Sequence, residues 1–181
     1  PAAILSNYPN AVAYKFGLTN GTGDIYQQIK LTKFPIPERP EVKVEAYTIV
    51  LQWDDEVFSL GDNATGATKD LDIYLTDDQG NTLFGFNKNN LGRDPIEVLA
   101  FTLTTDIALT NLMIVSANGV PDVRFKYIVF RGKDGFSIEQ FDNKASTIVG
   151  HPNSVGAMSV GAVRYTNGTP AVEDFSSNGG T

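Results

Sequence analysis

Four aspartates in two short stretches offer the plainest chemistry in this chain. Asp54 and Asp55 close the run VLQWDD at 50–55, and Asp70 and Asp72 stand two apart in DLDIYL at 70–75. In an extended strand successive side chains alternate faces, so Asp70 and Asp72 share one. A hard cation such as calcium takes several oxygens at short range, often from loops near strand ends. If the two strands meet, Asp54, Asp70 and Asp72 converge, with Asp55 or backbone carbonyls completing the shell. The expected site is therefore a calcium site at Asp54, Asp55, Asp70 and Asp72, and Ca2+ is the one cofactor expected. The spacing is not that of an EF-hand. The same aspartates also suit a plainer role, capping turns that face water or fixing loops by accepting backbone N–H bonds.

The second candidate is His151, the only histidine, within STIVGHPNSVGAMSVGAV at 146–163. Serines flank it, which suggests a hydrolase. A triad, however, needs a serine, a histidine and an orienting carboxylate in hydrogen-bond reach, together with oxyanion donors. Adjacency in sequence supplies none of that. His151 is read as a structural residue in a turn ahead of Pro152, and no catalytic residue is expected in this chain. Trp53 ends a strong apolar face and is read as core rather than as a stacking platform. Arg93 and Asp94 are read as a loop ion pair of little consequence.

Composition narrows the classes. The chain has 181 residues, net charge -7 and no cysteine. Lack of cysteine excludes a disulfide scaffold, a zinc–thiolate centre and a cysteine nucleophile. The acidic balance, without a basic stripe, argues against nucleic acid as a partner. No apolar run reaches the length of a membrane span, and the opening residues lack the pattern of a signal peptide. Asn-x-Ser/Thr sites occur at Asn20, Asn63 and Asn167; they matter only if the source glycosylates.

The elements that must position these residues read as strands. EAYTIVLQW (45–53) puts Tyr47, Ile49, Leu51 and Trp53 on one face, and KDLDIYLTD (69–77) does the same for Leu71, Ile73 and Leu75. TLFGF (82–86) pairs back on the latter as a hairpin. Further strands are expected at 13–18, 24–31, 96–103, 111–117, 124–130 and 136–141, joined by Gly/Asn/Asp turns. KFPIPERPEV (33–42), with three prolines, is expected to be an extended connection. The fold class expected is all-β, an antiparallel β-sandwich of jelly-roll type.

After about residue 135 the residues become small. GAMSVGAVRY (156–165) lacks a polar alternation and reads as a strand buried on both faces. This tail resembles the subtilisin-like serine peptidases, in which a segment like GHPNSVGAMSVGAV (150–163) runs into a buried strand and is followed by an F-S-S-x-G-P turn. FSSNGG (175–180) matches that turn, with Gly180 where the family has proline. Some larger bacterial members carry a β-sandwich inserted before that strand. VLQWDD, DLDIYL, GRDPIEVL (92–99) and FKYIVF (125–130) resemble such an insert, in the same order.

The resemblance implies a β-sandwich insert at 1–134, its first nine residues a loose arm, followed at 135–181 by a segment derived from a subtilisin-like α/β catalytic domain. The D-x-G, H-G-T-H and G-T-S motifs of the family's triad are absent from this sequence. The chain therefore reads as a non-catalytic piece of a longer, secreted or cell-surface bacterial serine endopeptidase, inactive alone. Its implied partners are the remainder of the catalytic domain and a protein or peptide substrate. The tail from about Ala145 is expected to be poorly ordered alone. The alternative is a free-standing β-sandwich module that binds carbohydrate or protein.

Overall fold

The computed structural model describes residues 5–6, 8–19, 22–36, 38–61, 64–142, 158 and 160–163. By contacts the chain divides into Pro1–Phe141 and Asp142–Thr181. The strands of the first unit are β1 (Val12–Ala13), β2 (Phe16–Thr19), β3 (Thr22–Asp24), β4 (Gln27–Thr32), β5 (Phe34–Ile36), β6 (Arg39–Val44), β7 (Ala46–Trp53), β8 (Leu71–Thr76), β9 (Thr82–Phe86), β10 (Ile96–Thr102), β11 (Ile107–Ser116), β12 (Phe125–Arg131) and β13 (Phe136–Ile138). The fold is all-β and every pairing is antiparallel.

Two sheets matter for the site. The larger runs β13-β4-β11-β8-β9, and β1 adds to β11 beyond the end of β4; the smaller runs β10-β7-β12. One apolar core lies across both. Ile29 and Leu31 of β4, Leu71, Ile73 and Leu75 of β8, and Leu112 and Ile114 of β11 share it with Tyr47, Ile49, Leu51 and Trp53 of β7 and Leu99 of β10. The period of two in the sequence places each set on one face, and burying that face is what holds the sheets together. Trp53, at 4% exposure, is core as expected.

Tyr47 shows how the core is anchored at one end. Its hydroxyl donates to the Thr32 carbonyl at 2.6 Å and accepts from the Thr32 N–H at 3.2 Å. The loop from β12 to β13 packs on its ring. Gly132 there has φ 89, and a Cβ at that position would lie 2.4 Å from the ring, so only glycine fits.

Three expectations change in the structure. KFPIPERPEV is not a bare connection: β5 and β6 form a separate two-stranded ribbon, with Pro35 opposite Lys43. A ribbon of two strands has free edges on both sides, where a missing proline N–H costs no ladder bond. Residues 136–138 pair with β4 through Phe136↔Leu31 and Ile138↔Ile29, so the first unit runs to Phe141 rather than stopping at 134. The N-terminal arm is not loose where it is described. Leu5 and Ala11 pack, with Ala13, on Tyr74, Met113 and Val115, and the Tyr8 hydroxyl accepts from Asn87 Nδ2 at 3.0 Å. This buries the outer face of β8 and β11.

His151, the FSSNGG turn and the three glycosylation sites lie outside the described residues, as does most of the tail from Ala145. Of the strand expected at 156–165, Met158 and Val160 are exposed at 90% and 84%, and among its described residues Val163 makes a bridge.

Candidate functional site

The four expected ligands separate into two pairs. Asp54 and Asp55 follow β7 into a loop, where Asp54 is exposed. Asp55 organises that loop. Its Oδ2 accepts the N–H groups of Thr68 and Lys69, both at 2.8 Å, and its Oδ1 accepts the Glu56 N–H at 2.9 Å. Partial burial pushes its pKa up, but the Glu56, Lys69 and Thr68 N–H groups and the Lys69 charge outweigh this and leave it below the ordinary carboxylate value. Asp55 thus takes the plainer of the two roles read from sequence, fixing a loop through backbone N–H groups.

Asp70 and Asp72 lie on the face of β8 opposite the core, as the period of two requires, but that face does not meet water. Asp70 is 7% and Asp72 2% exposed; on the same face Tyr74 packs with Leu5 and Ala11. Asp70 Oδ1 accepts the Asn90 N–H at 2.9 Å. Asp72 Oδ2 accepts the Tyr74 hydroxyl at 3.0 Å, while its Oδ1 has no hydrogen-bond partner.

A third acid, not singled out by sequence, joins them. Glu97 on β10 is fully buried and neither carboxylate oxygen has a hydrogen-bond partner. Its place follows from register: Glu97 pairs with Leu51 and Leu99 with Ile49, so Glu97 shares the inward face of its strand with Leu99. In sequence, IEVLAF alternates Ile96, Val98 and Ala100 against Glu97, Leu99 and Phe101. With apolar residues in both sets, nothing local says which faces inward. The available signal was the pairing with β7, whose Tyr47, Ile49 and Leu51 face is certain.

Asn90 connects the two strands. Besides holding Asp70 through its N–H, it donates from Nδ2 to the carbonyls of Asp94 and Ile96, at 2.8 and 2.9 Å. The Ile96 carbonyl immediately precedes Glu97. Asn90 is itself buried and its Oδ1 is unpartnered. The surrounding loop is braced by two backbone bonds, Ala67 N–H to Arg93 O and Gly92 N–H to Ala67 O, each 2.8 Å. Asp94, expected to pair with Arg93, instead accepts the Ser59 N–H at 2.8 Å.

Electrostatics follows from burial of like charges. Burial drives Asp72 up to about 7, with the Tyr74 hydroxyl opposing and Asp70 reinforcing. Burial drives Glu97 up to about 8, reinforced by Asp72 and Asp70. The Lys88 backbone N–H and charge pull the other way, without closing a hydrogen bond on either oxygen. Burial also raises Asp70, against the Asn90 N–H. Such a group of acids can share protons or take a hard cation. Among the described residues no three acidic side chains already surround one point at ligand distance.

A cavity of about 460 Å³ lies elsewhere, lined chiefly by apolar side chains including Val12, Tyr14, Val120, Pro121 and Phe125. Lys15 and Asp122 contribute its charged groups, and Asp122 holds a left-handed φ of 56. Its chemistry suits one apolar side chain of a peptide. No protein-family model matches the chain, and no curated protein is significantly similar to it in sequence.

Proposed function

We propose that this chain is a non-catalytic segment of a secreted or cell-surface bacterial subtilisin-like serine endopeptidase. Its β-sandwich stabilises that enzyme or flanks its cleft and binds peptide substrate, and the remainder of the catalytic domain is its partner. One observation supports this reading above the rest. The four segments that resemble the family's insert, VLQWDD, DLDIYL, GRDPIEVL and FKYIVF, supply β7, β8, β10 and β12 and the loop that braces the acidic cluster. The resemblance therefore falls on core-forming parts of one module. The passage of the chain back and forth between the two sheets supports the jelly-roll description. The parent's peptide-bond hydrolysis would proceed through an Asp-His-Ser triad and an acyl-enzyme, none of whose motifs is in this chain.

The test is the reading frame on either side of the chain. D-x-G and H-G-T-H upstream, with G-T-S downstream, are expected. A frame without them refutes the peptidase reading. The purified chain should also leave a fluorophosphonate probe unreacted. The cavity favours a second reading, a module that binds peptide or protein in its own right. Binding of apolar peptides that is lost on Phe125→Ala, in a frame lacking the triad motifs, would select it.

A further inference from the structure

We infer that the buried acids Asp72 and Glu97, with Asp70 and the Asn90 side-chain carbonyl, form a site for a divalent, oxygen-seeking cation of the calcium class. The site differs from the one expected from sequence: Asp54 and Asp55 are not part of it, and Glu97 and Asn90 are. The inference is independent of the peptidase resemblance.

Unpartnered oxygens carry the argument. Asp72 Oδ1, both Glu97 carboxylate oxygens and Asn90 Oδ1 are all buried and all without a hydrogen-bond partner. Every one is an acceptor. A buried polar atom left unpaired is costly, and native proteins pair nearly all of them. An additional acceptor would not help; the ion pairs Lys33–Glu45, Arg39–Glu41 and Lys43–Asp106 do not involve these acids, and the Lys88 charge, which acts on Glu97, does not offset its burial. A shared proton, an ordered water or a cation can satisfy such acceptors, and of these a cation also offsets the charge of the ionised carboxylates. Calcium accepts carboxylates singly or in bidentate fashion, amide carbonyls and waters, in flexible geometry, whereas magnesium demands a near-ideal octahedron. Because no three acidic side chains among the described residues already enclose a point, the inferred site requires the Glu97 and Asp72 side chains to move towards each other on binding. Asn90 keeps their strands in register while this happens, through its bonds to Asp70 and to the Ile96 carbonyl.

The full chain, stripped with EDTA and dialysed, is titrated with calcium at pH 8 while its melting temperature is followed. At 10 mM calcium, and with dissociation constants of about 10⁻⁴–10⁻³ M typical of extracellular modules, the melting temperature rises by about 3–10 °C. Glu97→Gln and Asp72→Asn abolish the rise, and Asp54→Asn retains it. Terbium gives a second readout. Tyr74 donates to Asp72 at 3.0 Å, so excitation at tyrosine wavelengths yields terbium emission that calcium displaces and that Glu97→Gln removes. A wild-type melting temperature unmoved by calcium, with Glu97→Gln more stable at pH 8, overturns the inference and leaves a proton-sharing cluster. Terbium emission unchanged in Glu97→Gln overturns it as well.

Discussion

Replacing Glu97 by Gln should stabilise the protein at alkaline pH and do little at acidic pH. Burial drives the Glu97 carboxyl from 4.5 to about 8, and at about 1.4 kcal/mol per unit this sets a ceiling of about 5 kcal/mol. Relaxation of the loop around an ionised carboxylate removes part of that, so about 2–4 kcal/mol is expected. The sign follows from linkage. Folding raises the pKa, so the folded chain holds the proton more tightly than the unfolded chain. Stability on this account is complete below pH 4.5 and declines as pH rises towards about 8. Asp72 acts in the same direction between 3.8 and about 7, and because the two acids feel each other their contributions do not add.

Gln keeps the volume of Glu, so no cavity term enters, and it carries no charge to bury. Urea unfolding followed by the fluorescence of Trp53, a core residue, measures this at pH 5 and pH 8.5, with EDTA present to exclude cation binding. The wild type should lose stability between the two values and Glu97→Gln should not. Equal destabilisation by Glu97→Gln at both values would refute the reasoning, since it would mean that the carboxylate has a favourable partner.

Two further outcomes follow from the geometry. Asp55→Ala removes the acceptor for three backbone N–H groups and should cost about 1–3 kcal/mol by denaturant unfolding; because the wild-type pKa is depressed, this contribution should fade as pH falls below about 4. Gly132→Ala forces a side chain into a left-handed conformation against the Tyr47 ring and should cost more than about 1 kcal/mol, read as a lower melting temperature, whereas a neutral result would contradict the close packing.

The alternation of Tyr47, Ile49, Leu51 and Trp53 was enough to place β7, because a strand buried on one face records that fact in every second residue. The hairpin of β8 with β9 was legible from the alternation of Leu71, Ile73 and Leu75 and from its turn, although β8 is buried on both faces. Asp72 was harder. Period two correctly assigned it to the face away from the core, but which faces meet water depends on what covers them. Leu5, Ala11 and Ala13, far away in sequence and unremarkable in composition, pack on Tyr74, Met113 and Val115 of that face. Glu97 was missed because its strand is apolar on both sides, so its orientation is decided only by pairing with Leu51. Grouping Asp54 and Asp55 with Asp70 and Asp72 requires β7 and β8 to adjoin. They lie in different sheets, and the loop that joins them uses Asp55 for itself.

The place of β4 has a consequence for synthesis. Its two neighbours are β11 and β13, both of which follow it by a long stretch of chain. Gln27 at its start accepts the Tyr127 hydroxyl at 2.6 Å and donates to the Phe141 carbonyl at 3.1 Å. A ribosome therefore releases β4 with both edges open, and they stay open until most of this unit has been made. Pairings so distant in sequence close slowly, and an open edge waiting for them is a template for other chains. Nascent chains stalled before β11 should aggregate, while those extended past Phe141 should fold.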